Sequence, residues 1–416
     1  MAPPVYDAVV VGAGPAGSTV ARLLARRSFR VLLLEEHPQV GLPCHCSGLV
    51  TPRTLQAAGA PDSLVHGVVR GVEVYGPGGE VLSLTASHPK ALVIDRVGLD
   101  VFLARQAEEA GADLVVGARV VGVEREERGT LRVLVHRNGK QEAVACRLVV
   151  GADGSRSVVA RLLPRPHRGE VVYALGGEVA VGGLDPAAVY VALDPHAFPG
   201  WFGWAIPVGE GVARVGVGSV RRGVSPRGLL RRLLEGFPPL RGARVLRLQG
   251  GLIPLATGAS PLVGDGVLLV GDAGAQAKPS SGGGIYTGLM AAHRGALVAA
   301  AALEKGDCSA RALRPYEDWW RTPLGREVRR AAALRRLLLA LTPQEVGLAL
   351  RLLGHPSLAR LLEREGDIDF PGRAFARLLR PLPLWTAARL LPWRLWPRAA
   401  RLAALWAFHW TRAARP

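Results

Sequence analysis

An apolar, β-branched run, Tyr6–Val11, passes straight into Gly12-Ala-Gly14-Pro-Ala16-Gly17 and then into an alanine- and leucine-rich stretch, residues 15–26. Few folds accept that order. The run predicts a buried parallel strand, the glycines a tight turn, and the following residues a helix. Gly12 permits the turn, Gly14 lets a pyrophosphate approach the backbone, and Gly17 lets helix and strand pack closely, leaving the phosphate at the helix N-terminus. Residues 30–35 form a second apolar strand ending on Glu35, 18 residues past Gly17, where a carboxylate can bind ribose hydroxyls. The unit is the opening βαβ of a doubly wound sheet that binds a dinucleotide.

Two later segments each put an aspartate where an apolar strand enters a glycine turn. Gly151-Ala-Asp153-Gly154-Ser-Arg-Ser157 follows residues 148–150, and Gly271-Asp272-Ala follows residues 268–270. Both aspartates are placed to bind ribose or ribityl hydroxyls. Between these segments the pattern changes to short alternating strands: residues 68–84 around a Gly-Pro-Gly-Gly turn, 113–150 with a turn at Asn138-Gly139, and the glycine-rich 171–220. Residues 285–303 read as a helix, and from about 311 onward the chain reads as amphipathic helices broken by prolines. The predicted fold class is α/β. A Rossmann-like FAD-binding domain (1–67, 95–165 and 255–310) is interleaved with an antiparallel-sheet substrate domain (68–94 and 166–254), and a basic, tryptophan-rich helical extension (311–416) follows.

The GxGxxG segment with Glu35 and the two glycine-aspartate segments, in this order, resemble those of the FAD-binding group that includes aromatic hydroxylases, flavin halogenases and geranylgeranyl reductases, over roughly residues 5–305. The resemblance implies FAD as cofactor, with Arg96 against the flavin or its phosphates and the backbone of Val120 against the adenine. A narrower resemblance is to the geranylgeranyl reductases, which saturate isolated double bonds of isoprenoid chains. Pro279-Ser-Ser-Gly282-Gly283-Gly284-Ile285 matches their Pro-x-x-Gly-Gly-Gly-Ile, a turn whose N–H groups would face the flavin pyrimidine edge where charge collects on reduction. Pro43-Cys-His-Cys46-Ser47-Gly48 matches their Pro-x-x-Cys beside the isoalloxazine. Phe202-Gly-Trp204-Ala-Ile206-Pro207 is similar to their aromatic cavity wall, with Ile206 departing from the usual aromatic. Gly366-Asp-Ile-Asp369-Phe-Pro371 is a weaker echo of the same family.

The chemistry so implied couples hydride from flavin N5 to protonation of the other alkene carbon, in a dry, apolar site. Phe202 and Trp204 suit its wall, and Cys46, or a water beside it, is the candidate proton source. A second GxGxxG is absent, so the reductant is a visitor, NADPH or a carrier such as ferredoxin. The competing reading is an FAD-dependent monooxygenase or halogenase. Halogenases carry Trp-x-Trp-x-Ile-Pro, from which residues 202–207 differ only at Phe202, and their tunnel lysine could here be only Lys90. A flavin-bearing membrane-interaction protein without turnover is the non-enzymatic reading. Cys44-His45-Cys46 lacks a nearby fourth ligand for tetrahedral zinc, so no metal is assigned.

The net charge of +18 comes almost wholly from arginine, lysine occurring only at 90, 140, 278 and 305. No zinc-finger, RRM or helix-turn-helix pattern accompanies it, which excludes nucleic acid as the expected partner. Nine arginines and no acidic residue follow Asp369, and seven of nine tryptophans follow residue 318. Residues 384–412, with Trp385, Trp393, Trp396, Trp406 and Trp410, have the composition of an interfacial segment. No uncharged apolar run reaches the ~18–20 residues of a spanning helix. Four cysteines suggest a reducing, intracellular setting rather than a disulfide framework, and the N-terminus reads as carrying no cleaved leader. The expectation is a cytoplasmic enzyme, peripheral on the inner face of the membrane, acting on a prenyl-chain lipid or small molecule.

Overall fold

The computed structural model describes residues 6–126, 129–164, 169–256, 260–374, 401 and 404. In chain order the first half comprises β1 (Tyr6–Val11), α1 (Pro15–Ala25), β2 (Val31–Leu34), β3 (Leu49–Val50), α2 (Pro52–Ala58), β4 (Val65–Val69), β5 (Gly71–Tyr75), β6 (Val81–Thr85), β7 (Ala91–Ile94), α3 (Arg96–Glu109), β8 (Asp113–Val115), β9 (Arg119–Arg125), β10 (Leu131–Arg137) and β11 (Lys140–Gly151). There follow β12 (Val171–Ala180), β13 (Ala188–Ala192), β14 (Gly203–Gly209), β15 (Val212–Ser219), α4 (Pro226–Gly236), β16 (Arg244–Pro254), β17 (Val263–Gly264) and β18 (Val267–Leu269). Helices α5 (Ile285–Glu304), α6 (Ala310–Trp319), α7 (Gly325–Ala340), α8 (Pro343–Leu353) and α9 (Pro356–Glu365) complete it.

The first sheet runs β17-β18-β11-β1-β2-β8, with β9 and β10 continuing from β11 as a meander. β1 is central and parallel to both neighbours, and its apolar run is buried because α1 and α5 cover one face while β9 and β10 close over the other. The turn expected at Asn138-Gly139 is present, both residues holding positive φ (51° and 74°), the geometry that suits a two-residue hairpin. β8 leaves the meander and becomes a parallel edge beside β2.

The second sheet runs β16-β12-β15-β14-β13-β5-β6 and is antiparallel except where β5 lies parallel to β13. Between those two strands the chain passes through β8 to β11 of the first sheet, so no hairpin dictates their direction. Helix α4 seats Leu229, Leu230 and Leu233 on one face against Val215 and Val217. Sequence patterning ends this sheet near residue 220, whereas the structure adds β16 as its edge; that strand leaves Val245, Leu246 and Leu248 exposed, so it lacks the buried alternation that marks a core strand. A third small sheet, β3-β7-β4, joins the two domains.

Beyond residue 305 the expected helices are present as α6 to α9, and the interfacial stretch 384–412 lies outside the described residues. Tyr316 of α6 is wholly buried, donates to the Leu269 carbonyl at 2.8 Å and accepts from Gln276 Nε2 at 2.8 Å. Gln276 Oε1 in turn accepts the Gly271 N–H at 2.7 Å, so the C-terminal helices fix the loop carrying Asp272. Removing the hydroxyl leaves two buried polar groups short of a partner. Tyr316→Phe is expected to lower the unfolding free energy by about 1–3 kcal/mol in denaturant titrations.

Candidate flavin site

The parallel register decides where the site is. Val11 lies opposite Leu34 on one side and Gly151 on the other, and Gly151 lies opposite Leu269. The residues that follow these four strand ends are Gly12, Glu35, Ala152-Asp153 and Val270-Gly271-Asp272. All three sequence motifs therefore emerge at one carboxyl edge, where open α/β sheets bind their ligands. Gly12 has φ +100°, and a Cβ there would overlap the Ala152 carbonyl oxygen, so the first motif sits directly against the second. Ala16 lies beneath Gly271, which ties the first motif to the third. The N-cap of α1 is Gly14 with no side-chain cap, and Pro15 opens the helix, leaving its first N–H groups for an anion.

Glu35 is fixed from both sides. One oxygen accepts the Ala13 N–H at 2.9 Å, and the other accepts His37 N–H at 3.1 Å and faces His37 Nδ1 at 2.7 Å. Asp153, expected to bind hydroxyls, is held by its own turn. Its oxygens accept Ser157 Oγ at 2.5 Å and the N–H groups of Val158 and Val159 at 2.6 and 3.3 Å, so the carboxylate is occupied in closing its own turn. Burial pushes its pKa up, against the pull of these donors. Val120, in β9, is buried in the core, two residues from Ala118, whose N–H donates to the Glu35 carbonyl at 2.8 Å.

Arg96 and Asp272 supply the unspent polarity. Arg96 opens α3, is largely withdrawn from solvent, and pairs with Asp100 one turn on. Burial opposes its charge, but Asp100 and the nearby Cys46 and Cys44 hold the guanidinium cationic and above its ordinary value. Its Nε is buried and, among the described residues, has no hydrogen-bond partner. The Asp272 carboxylate accepts no hydrogen bond among the described residues, and desolvation, eased by Arg96, pushes its carboxyl from 3.8 up to about 6. A cation with a spare donor and a carboxylate with spare acceptors suit the phosphates and hydroxyls of FAD. The residues present fit that cofactor.

The Cys46 loop is held by a residue that sequence reading missed. Arg214 of β15 donates Nη1 to the carbonyls of Ser47 at 3.0 Å and Ile94 at 3.2 Å, and pairs with Glu178. Gly48 has φ +71°, and a Cβ there would overlap that guanidinium. Cys46 Sγ accepts the Gly48 N–H at 3.4 Å. The second sheet thus sets the position of the Cys46 loop. Cys44 and Cys46 are free thiols, and among the described residues no cluster of metal-binding side chains exists.

Trp204 packs over Gly216 and beside Leu49, and meets Phe202 edge-on with ring centres 5.9 Å apart. Trp201, unremarked in sequence, stacks on Phe202 at 4.9 Å and reaches Gly282 of the triple-glycine turn, which links the aromatic wall to that turn. The turn is anchored from below. Pro279 and its neighbour Lys278 are buried, Lys278 Nζ pairs with Asp369 Oδ1 at 2.7 Å, and the other oxygen of Asp369 accepts Thr51 Oγ1 at 2.5 Å. The weak echo at 366–371 is therefore a strap over the turn that leads into Gly283, Gly284 and Ile285. Lys90 belongs to the same strap, donating to the Gly366 carbonyl at 2.9 Å, which removes it as a tunnel lysine. A groove of about 680 Å³ runs between Pro38–Pro43 and the edge strand β16 at Arg247–Gly250, with Cys44 and His45 in its wall.

Comparison with known proteins agrees with this geometry. Residues 5–186 match the FAD binding domain family. The chain is 33% identical over 363 residues to digeranylgeranylglycerophospholipid reductase 2 of Methanothermobacter thermautotrophicus, covering 86% of this chain and 94% of that protein. The crystal structure of a geranylgeranyl bacteriochlorophyll reductase-like protein from Thermoplasma acidophilum superposes with TM-score 0.79 at 26% identity, over 90% of this chain and 99% of that one. p-Nitrophenol 4-monooxygenase from Pseudomonas putida superposes with TM-score 0.70 at 18% identity, over 89% and 99% respectively, which is a likeness of fold alone.

Asp272 gives the site a pH signature. Its folded pKa lies above its unfolded one, so its contribution to apoprotein stability is present below the ordinary carboxylate value of 3.8 and is lost as pH rises through about 6. In Asp272→Asn apoprotein, the stability difference between acid and neutral pH is expected to shrink by up to about 3 kcal/mol, read from chemical unfolding across that range.

Proposed function

From the premise that this chain belongs to the geranylgeranyl reductase family of FAD-dependent enzymes, we propose the residue roles, electron supply and setting of its reaction. The reaction is reduction of isoprenoid C=C bonds. Bound FAD, once reduced, supplies the hydride. The observation that carries the residue roles is the meeting of Arg96, Asp272 and the Cys46 loop at one edge, with the triple-glycine turn beside them.

Arg96 neutralises cofactor phosphate or ring charge with its spare Nε, Asp272 accepts from cofactor hydroxyls, and Glu35 orients the ribose at the far end. Cys46 gives its thiol proton to one alkene carbon as hydride reaches the other, and Arg96 stabilises the thiolate that remains. Trp204 and Phe202 line an apolar wall that keeps water from the hydride and steadies positive charge on the alkene. Arg214 keeps Cys46 in place from the substrate side. NADPH or ferredoxin restores the electrons from outside, since the chain carries a single GxGxxG. The substrate is a prenyl-chain lipid reached from the cytoplasmic face of a membrane. The arginine- and tryptophan-rich composition after residue 384 supports this, and among the described residues no helix is long and apolar enough to cross one.

The test uses the holoprotein, reduced without oxygen and mixed with a geranylgeranylated glycerophospholipid. Flavin colour should return anaerobically while the lipid gains two hydrogens per bond reduced. Cys46→Ser should slow that step by about 100-fold or more while flavin stays bound. A product that forms only after air is admitted, above all one dependent on halide, would defeat the reductase reading in favour of an oxygen-using one.

A further inference from the structure

Lys278 stands out among the buried charges because nothing in the reaction so far uses it. Its side chain is 8% exposed and that of Asp369 is 1% exposed, yet the two form a 2.7 Å ion pair directly below the triple-glycine turn. The Lys278 N–H donates to the Gly283 carbonyl at 3.1 Å, the Gly282 N–H donates to the Lys278 carbonyl at 2.9 Å, and a Cβ on Gly283 would lie 3.3 Å from Nζ. The ammonium is therefore against the turn itself. The same turn is the N-cap of α5, which has 20 residues and no side-chain cap. Its helix dipole and the Lys278 charge thus reinforce one another at one place. The site's other cation, Arg96, is compensated by Asp100.

Asp369 is held by three groups besides Lys278. Thr51 Oγ1 donates to its Oδ2, Arg53 approaches that oxygen at 3.6 Å, and its own N–H is fixed by Asp367 at 2.9 Å. A carboxylate so placed does more than close a strap. It offsets part of the positive field that the lysine and helix would otherwise project. Two electrons and one proton entering FAD leave the ring with one negative charge near neutral pH, so a positive field at this edge favours the reduced cofactor and a negative one the oxidised form.

Resting on the reading that this edge holds FAD, we infer that the Lys278–Asp369 pair sets the flavin's reduction potential. Lys278 raises it by favouring the reduced ring, and Asp369 trims that effect. Loss of one partner shifts the ratio of reduced- to oxidised-flavin affinity on the order of tenfold, the scale of one unit charge at about 10 Å in a partly screened interior. The signs are opposite for the two partners, which a loosened turn could not produce.

The experiment is an equilibrium redox titration of the full-length, flavin-loaded protein against reference dyes, at one fixed pH. Asp369→Asn is expected to raise the potential, Lys278→Gln to lower it, and Lys278→Arg to leave it close to the starting value. If Asp369→Asn does not retain flavin, the two lysine variants decide the matter: a fall in Lys278→Gln with none in Lys278→Arg supports the inference. Equal values in those two, or shifts of the same sign in Asp369→Asn and Lys278→Gln, would overturn it while leaving the cofactor assignment intact. Unsubstituted protein that takes up no FAD would overturn both.

Discussion

The parallel alignment of four strand ends governs this molecule. Because Val11, Leu34, Gly151 and Leu269 stand level, the turns that follow them share one edge although they are up to 258 residues apart in sequence. A one-residue slip in any of these pairings would exchange the side chains packed on the two covered faces and move the turns out of line. The core beneath, with Val9, Val10, Leu33, Val149, Val150 and Leu268 almost fully buried, makes that slip costly. Chemistry at the edge is thus inherited from packing several residues below it. The glycines answer the second constraint, close approach of one turn to the next, and Gly12 against Ala152 is its tightest instance.

Charge at the edge follows a different logic from charge elsewhere in the chain. Most of the described arginines are exposed, many on helix surfaces, where they contribute little to stability. Three that are largely withdrawn from solvent have defined tasks. Arg96 is compensated by Asp100, Arg214 reaches from the second sheet to two carbonyls near the cysteine loop, and Arg335 lies over the Trp201 ring at 5.3 Å while donating to the Gly200 carbonyl. Arg214 and Arg335 link elements far apart in sequence, whereas Arg96 and Asp100 lie on one helix. Replacing such a group by an apolar one would often preserve folding yet lose the geometry it transmits.

The sequence made the first sheet legible because its signals are local: an apolar run, a glycine turn and an aspartate fall within a dozen residues of one another. The Asn138-Gly139 hairpin was legible for the same reason. What patterning missed is long-range or short. The strands of the third sheet have two to five residues and no period to detect, and β16 is an exposed edge without buried alternation. Arg214 looked like any arginine on an alternating strand; only the fold brings it to Ser47, 167 residues away. Lys90 and Lys278 could both be noted as rare lysines, but sequence could not tell that both meet the segment at 364–369. Asp153, which the sequence sets at a strand end, also closes its own turn, a task its spacing does not announce.

The strap at Asp367–Asp369 also bears on how the chain comes to be finished. Thr51 and Asp369 are separated by 318 residues, and Lys278 and Asp369 by 91. During synthesis the sheet edge and its glycine turns emerge long before the segment that secures them, so the nascent chain carries a nearly complete nucleotide fold with Lys278 unpaired. Contacts of such separation are the slow ones to form. Closure of the last described tenth of the protein is therefore the step that converts a folded nucleotide-binding core into a charge-balanced one.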